Sequence, residues 1–168
     1  MKKINKKGFT LIELLAVIVV LALIMVLVLP NVMDSMNSAK QQTFLLYANR
    51  MLSAAMDKRA SDELVGTASN CYKISELNSG NTTKYNGVVE YVTDESGNGY
   101  YKIQMYDNNT YQIGCNDVEV GGVTYDKAGG VTSADIEDIK TRLQSSKRSL
   151  VSASDSTSKT TSCKTVCS

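Results

Sequence analysis

The apolar residues of this chain are concentrated near its amino terminus. Residues 9–29 form an almost unbroken apolar run, and no polar side chain occurs between Leu14 and Leu29. A helix that rises 1.5 Å per residue needs roughly 20 apolar residues to cross a bilayer core of about 30 Å. The run therefore predicts a transmembrane helix over residues 9–30.

The next stretch, residues 31–63, has the pattern of an amphipathic helix. It contains neither proline nor glycine, and good helix formers dominate it. Its apolar residues recur at helical rather than strand spacing. The expected buried stripe consists of Met36, Thr43, Tyr47, Met51 and Ala54, with Phe44, Ala48, Leu52 and Ala55 beside them. We expect this stripe to pack under a sheet.

Beyond Gly66 the apolar spacing changes from helical to alternating. A polar loop that carries Cys71 and a short turn at residues 74–77 come first. Alternation then predicts three strands joined by turns at residues 97–99 and 108–109, and the strands cover residues 88–93, 101–105 and 111–115. The predicted fold class is α+β, with a long N-terminal helix packed on a small antiparallel sheet.

Two further elements and a tail complete the pattern. A hairpin is predicted over residues 118–125 around the Gly121-Gly122 pair, and residues 133–144 have the spacing of a short amphipathic helix. From residue 145 on, Ser, Thr and Lys accumulate with few apolar residues. This composition predicts a poorly ordered tail.

The charge balance depends on the first seven residues. The chain has 18 Lys and Arg against 17 Asp and Glu, but four of the bases precede residue 8, and without them 14 bases face 17 acids, a net charge of −3. This argues against a general nucleic-acid-binding surface, which needs a basic patch. By the positive-inside rule those lysines stay in the cytoplasm, so the residues after Pro30 are exported.

The candidate chemistry is sparse. The chain has no histidine, which is the commonest general base and metal ligand at neutral pH. A four-cysteine zinc site is disfavoured because Cys71 and Cys115 stand alone, whereas zinc ligands usually come in closely spaced pairs. We therefore predict no enzyme activity, no metal and no cofactor.

Glu13 is the one carboxylate inside the apolar run. Such a group costs on the order of 2.5 to 3.5 kcal/mol at the centre of a membrane helix, and less near an end. The residues around it, 6–14, read KKGFTLIEL. This segment resembles the leader-peptidase and methylation motif of type IV prepilins and the related pseudopilins. A plain transmembrane anchor is the alternative interpretation of the run.

The resemblance implies a processing route and an assembly route. A membrane-embedded prepilin peptidase would cut after Gly8, and Phe9 would become the N-methylated terminus. Glu13 would pair with the Phe9 amine of a neighbouring subunit, although a glutamate that reaches the bilayer edge is the alternative. Pro30 stands where the family often has a helix-distorting proline, and it implies a kink or local melting. The alternative for Pro30 is a boundary between two helices.

The expected organisation follows from the resemblance and the pattern together. It consists of a leader (1–8), a transmembrane and assembly helix (9–30), a stalk helix (31–63), a β-rich head (64–144) and a Ser/Thr-rich tail (145–168).

Four cysteines in an exported chain favour two disulfides, with three possible connectivities. Cys115 shares the alternation phase of the preceding strand residues, so we expect it to face the helix, near the loop that carries Cys71. The preferred pairing is Cys71 with Cys115 and Cys163 with Cys167. A bridge from the tail back to the head is the alternative, since family members often have a bridged carboxy-terminal region.

The resemblance implies a filament subunit of a pilus or pseudopilus, serving adhesion, motility, secretion or DNA uptake. The implied partners are the chain itself and other pilins, the prepilin peptidase, the inner-membrane assembly platform and, before assembly, the lipid bilayer. The subunit would be a single-pass membrane protein with a cytoplasmic N terminus, and then part of a surface filament. The alternative is a minor pilin or membrane-anchored module that presents its head to a ligand or to DNA.

Overall fold

The computed structural model describes residues 10–77, 84–107, 111–146, 150 and 163–167. The chain divides into two units, Met1–Ala39 and Lys40–Ser168. Gly8, Phe9, the predicted turn at 108–109 and most of the predicted tail lie outside the described residues. The second unit begins within the range predicted as the stalk, and the buried residues of the helix begin there, at Gln41.

The first unit contains the apolar half of helix α1 (Leu11–Leu64). The helix continues without a break through Pro30, so the structure shows no boundary between two helices at this residue. Beyond the proline, the Asn31 amide Nδ2 donates to the carbonyl of Leu27 at 3.5 Å, and the Ser35 hydroxyl donates to the carbonyl of Asn31 at 2.9 Å. The predicted kink or local melting stays a prediction.

The second half of α1 buries one face in the second unit. Its buried residues recur three and four positions apart and are Gln41, Phe44, Leu45, Ala48, Met51, Leu52 and Ala55. Five of them belong to the predicted stripe, but Met36 and Thr43, which were also predicted, are exposed. Leu45 and Gln41 were missed because the true stripe is rotated by about one residue around the helix.

A four-stranded antiparallel sheet follows, in the order β1-β2-β3-β4. Its strands are β1 (Cys71–Lys73), β2 (Tyr85–Thr93), β3 (Gly99–Asp107) and β4 (Gln112–Ile113), and the short helix α2 (Ile74–Leu77) follows β1. The strands predicted at 88–93 and 101–105 are confirmed, whereas of the strand predicted at 111–115 only Gln112–Ile113 is formed. β1 was predicted as loop, and it pairs through only three residues.

A second hairpin and a helix complete the second unit. Strands β5 (Val118–Val120) and β6 (Val123–Asp126) pair with each other across Gly121 and Gly122, which both have positive φ. Helix α3 (Ser133–Ser146) buries Ile136 and Ile139 in the core. The predicted hairpin and helix are therefore confirmed.

The four-stranded sheet has two different faces, because successive side chains of a strand alternate. One face packs on α1 and supplies Tyr85, Val89, Ile103 and Met105 to a single apolar core. The opposite side, called the outer face here, is formed by Cys71, Val88, Glu90 and Gln104. Val88 is fully buried and Gln104 is 3% exposed, so the outer face is also covered.

Candidate functional site

The start of α1 is closed by a reciprocal set of hydrogen bonds. The backbone N–H and the hydroxyl of Thr10 both donate to Glu13 Oε2 at 2.8 Å, and the backbone N–H of Glu13 donates to Thr10 Oγ1 at 3.4 Å. This arrangement is a capping box, in which two residues satisfy each other's free helix-end groups. Glu13 therefore has a partner in its own helix. The expected pairing with the Phe9 amine stays a prediction.

Only one oxygen of Glu13 is used in this box. The other, Oε1, accepts no hydrogen bond from the part of the chain that the structure describes. Glu13 is exposed in the single chain.

The apolar half of α1 exposes its side chains around the whole circumference. Every large apolar residue from Leu11 to Met36 is exposed in the single chain. By length and composition, α1 is the one helix among the described residues that can cross a membrane. A helix that is apolar all round belongs in a bilayer or inside a helix assembly.

The disulfides join Cys71 to Cys167 and Cys115 to Cys163, with Cα–Cα distances of 5.6 and 4.6 Å. The preferred pairing of Cys71 with Cys115 and of Cys163 with Cys167 is therefore wrong, and the alternative of a tail bridged to the head is what the structure has.

The error has a local cause at Gly114. This residue has a φ of 73°, and a Cβ there would meet the backbone carbonyl of Ile103. A left-handed glycine ends the alternation of the strand, so Cys115 does not face α1 as its spacing predicted. Cys71, on β1, lies opposite Glu90 on the outer face. The glycine inside this alternating run was the sequence feature that could have indicated the change of face at Cys115.

Residues 163–167 lie on the outer face of the sheet. The backbone N–H of Lys164 donates to Gln104 Oε1 at 2.9 Å, and its ammonium donates to Glu90 Oε1 at 2.7 Å. These bonds and the two disulfides attach residues 163–167 to the buried outer face. The predicted poor order of the tail is wrong for these residues and for Leu150, which is buried in the core. The remainder of the predicted tail after α3 lies outside the described residues.

A buried carboxyl, that of Asp126, binds the backbone next to Cys115. Asp126 Oδ1 accepts hydrogen bonds from the backbone N–H groups of Gly114 at 2.8 Å and Lys127 at 2.9 Å. Burial raises the pKa of Asp126 to about 7, although both hydrogen bonds act in the opposite direction. Sequence reasoning missed this residue, since an aspartate at a strand end is usually solvated.

No described group has the composition of a metal centre. No cluster of three or more His, Cys, Asp or Glu residues is positioned to hold a metal ion in the described ranges. A small cavity beside Asp126 is lined partly by Asp135 and Asp138. Asp135 is already bound by Lys127 Nζ at 2.8 Å.

The amino-terminal residues match a known family model. Residues 3–29 match the prokaryotic N-terminal methylation motif. No curated protein and no solved structure matches the chain. The motif implies processing by prepilin peptidase and assembly with other pilins in general, and it is typical of structural proteins. The chain thus carries the leader signature of type IV pilins and pseudopilins on an α+β fold of the pilin-like class, with a long N-terminal helix and a small antiparallel sheet.

Proposed function

We propose that the chain is a structural subunit of a type IV pilus or a related pseudopilus, and that it assembles from the membrane after its leader is removed. The observation that supports the proposal is the methylation motif at residues 3–29, which includes the start of a helix whose large apolar side chains from Leu11 to Met36 are all exposed. Such a surface needs an apolar environment. A bilayer supplies it before assembly, and the bundled helices of a filament supply it afterwards.

The residues of the motif would act in two successive processing steps, cleavage and then methylation. The prepilin peptidase would cut between Gly8 and Phe9, on the cytoplasmic side, and Phe9 would then be N-methylated. A cut at this point retains the apolar helix in the mature subunit. The basic residues before Gly8 would direct the orientation of the chain in the membrane.

Assembly would depend on Glu13. Its capping box with Thr10 offsets part of the cost of a carboxylate in an apolar segment, and its Oε1, which none of the described residues binds, would accept the Phe9 amine of a neighbouring subunit. Pairing of two charges that both leave water offsets their burial only when the geometry is good. We therefore assign Glu13 both a capping role within the chain and a pairing role between chains.

Replacement of Glu13 by glutamine tests this assignment. Glu13→Gln keeps the shape and one capping oxygen but removes the charge, so we expect normal membrane insertion and a fall in filament incorporation of about tenfold or more. The measurement is the amount of the chain in sheared surface filaments relative to the amount in the membrane fraction. Glu137→Gln, on the exposed side of α3, is the matched control and should leave this ratio unchanged. A normal ratio for Glu13→Gln would remove the pairing role.

The subunit would be a single-pass membrane protein before assembly and a surface filament component afterwards. Its partners would be its own copies, other pilins and the assembly platform of the inner membrane. Whether the filament serves adhesion, motility, secretion or DNA uptake depends on the surface of the head. The one described base of the predicted tail, Lys164, is already paired with Glu90, so it lends no support to DNA binding through the tail.

A further inference from the structure

The two disulfides are nested in the sequence. Cys71 and Cys167 are 96 residues apart, and Cys115 and Cys163, which lie between them, are 48 apart. An unfolded chain closes short loops more readily than long ones, and Cys163 with Cys167 encloses the shortest loop that these cysteines allow. By loop length alone, the consecutive bridge between these two should form at least about tenfold more often than either native bridge. Something other than chain proximity must select the native pairing.

The structure contains non-covalent contacts that place each cysteine near its native partner. Lys164 lies directly after Cys163, and its backbone N–H is bound to Gln104, a side chain only 3% exposed. Its ammonium is bound to Glu90, which lies directly opposite Cys71 in the pairing of β1 with β2. One residue of the 163–167 segment is thus attached to two adjacent strands of the outer face.

We propose that the 163–167 segment docks on the folded outer face before its disulfides close, and that Glu90, Gln104 and Lys164 are positioning residues that select the native pairing. Each bridge then forms by thiol–disulfide exchange with an oxidant of the disulfide class. Two cysteine thiols lose two protons and two electrons as their S–S bond forms. The S–S bond of the oxidant breaks, and the oxidant leaves as two thiols. Each chain consumes two such equivalents.

Tryptic digestion can distinguish the possible disulfide pairings of this chain. Trypsin cleaves after lysine, so it separates Cys163 from Cys167 at Lys164 and places Cys71 and Cys115 on two further peptides. The full chain is reduced, kept in dodecyl maltoside micelles and oxidised with a mixture of reduced and oxidised glutathione. Acid stops the exchange at early times, and mass spectrometry of the tryptic digest counts each disulfide-linked pair.

The variants remove the docking contacts and leave the cysteines and Lys164 in place. Glu90→Gln loses the partly exposed ion pair, and we expect the ratio of native to consecutive pairs to fall two- to fivefold, roughly. Gln104→Met leaves a backbone N–H without its acceptor, and a fall of about five- to tenfold is expected. Glu90→Asp keeps the charge and should restore most of the ratio. Glu137→Gln breaks a comparable exposed ion pair with Lys140 on α3 and should change nothing.

A second measurement does not depend on the variants. The unchanged chain, oxidised in concentrated guanidinium chloride, has no outer face on which to dock, so consecutive bridges should dominate. Native pairing in the denaturant at the same ratio as in micelles would overturn the proposal. The same ratio in the unchanged chain, Glu90→Gln and Gln104→Met would overturn it as well.

Discussion

At the scale of single residues, the head depends on a carboxyl that is held away from water. Asp126 is 2% exposed, and it holds the backbone of Gly114, whose left-handed conformation turns Cys115 toward its disulfide partner. The pKa of Asp126 lies near 7 because burial disfavours the charged form, whereas the ordinary value is 3.8. The folded chain therefore keeps a proton that the unfolded chain releases between about pH 4 and pH 7.

The free energy of unfolding of the head should therefore depend on pH through Asp126. Between these two pKa values the folded state binds more protons than the unfolded state, so the contribution of Asp126 falls as the pH rises and is lowest above pH 7. The expected loss is on the order of a few kcal/mol. Asp126→Asn keeps an oxygen for the Gly114 N–H but cannot titrate, so it should flatten this part of the profile.

Urea unfolding of the full chain in micelles, from about pH 4 to pH 8, measures the profile. Asp135→Asn is a useful comparison, because the pKa of Asp135 is lowered and its contribution is lost toward acid rather than toward neutral pH. An equal decline in the unchanged chain and in Asp126→Asn would show that Asp126 does not cause it.

At the scale of elements, the Arg59 side chain links the end of α1 to the sheet. The Arg59 guanidinium lies 3.8 Å from the centre of the Tyr91 ring. It also donates to the carbonyl of Ser69 at 2.8 Å and to Asn70 Oδ1 at 2.7 Å. Only 14% of the Arg59 side chain is exposed. Arg59 thus connects helix α1, the following loop and strand β2.

We expect that lysine cannot substitute for arginine at position 59 without a loss of stability. Arg59→Lys keeps the charge but loses the planar stacking on the ring and the forked donors, and we expect the free energy of unfolding to fall by about 1 to 3 kcal/mol. Chemical denaturation of the full chain provides the value. The control is Arg142→Lys on α3, whose ion pair with Asp138 is more exposed and should contribute less than about 1 kcal/mol. Equal losses in the two variants would mean that the stacked position has no special role.

The elements also show which parts of the fold can be predicted from sequence. Helices and hairpins follow from the spacing of neighbouring residues, so α1, α3 and the main strands were predicted. Strand β1 was missed because three residues are too few for an alternation. The disulfide pairing was mispredicted because it depends on which face of the sheet each cysteine occupies, and Gly114 changes that face. Leu150 was missed because one apolar residue in a polar segment has no period.

At the scale of the whole molecule, we propose three successive roles for the amino-terminal part of the chain. Residues 1–8 would be a leader, the helix beyond them would be a membrane anchor, and the same helix would later lie in a filament. The match at residues 3–29 and the exposed apolar surface of α1 both support this order of events. The change from a leader-bearing membrane anchor to a filament subunit would depend on a single cleavage, after Gly8.

Mass spectrometry of the chain in sheared surface filaments tests that cleavage most directly. We predict a mature chain that begins at Phe9, carries one added methyl group on its terminal amine and lacks all of residues 1–8. A chain that retains the leader, or one that is cut after the apolar helix and has lost it, would contradict the proposed processing.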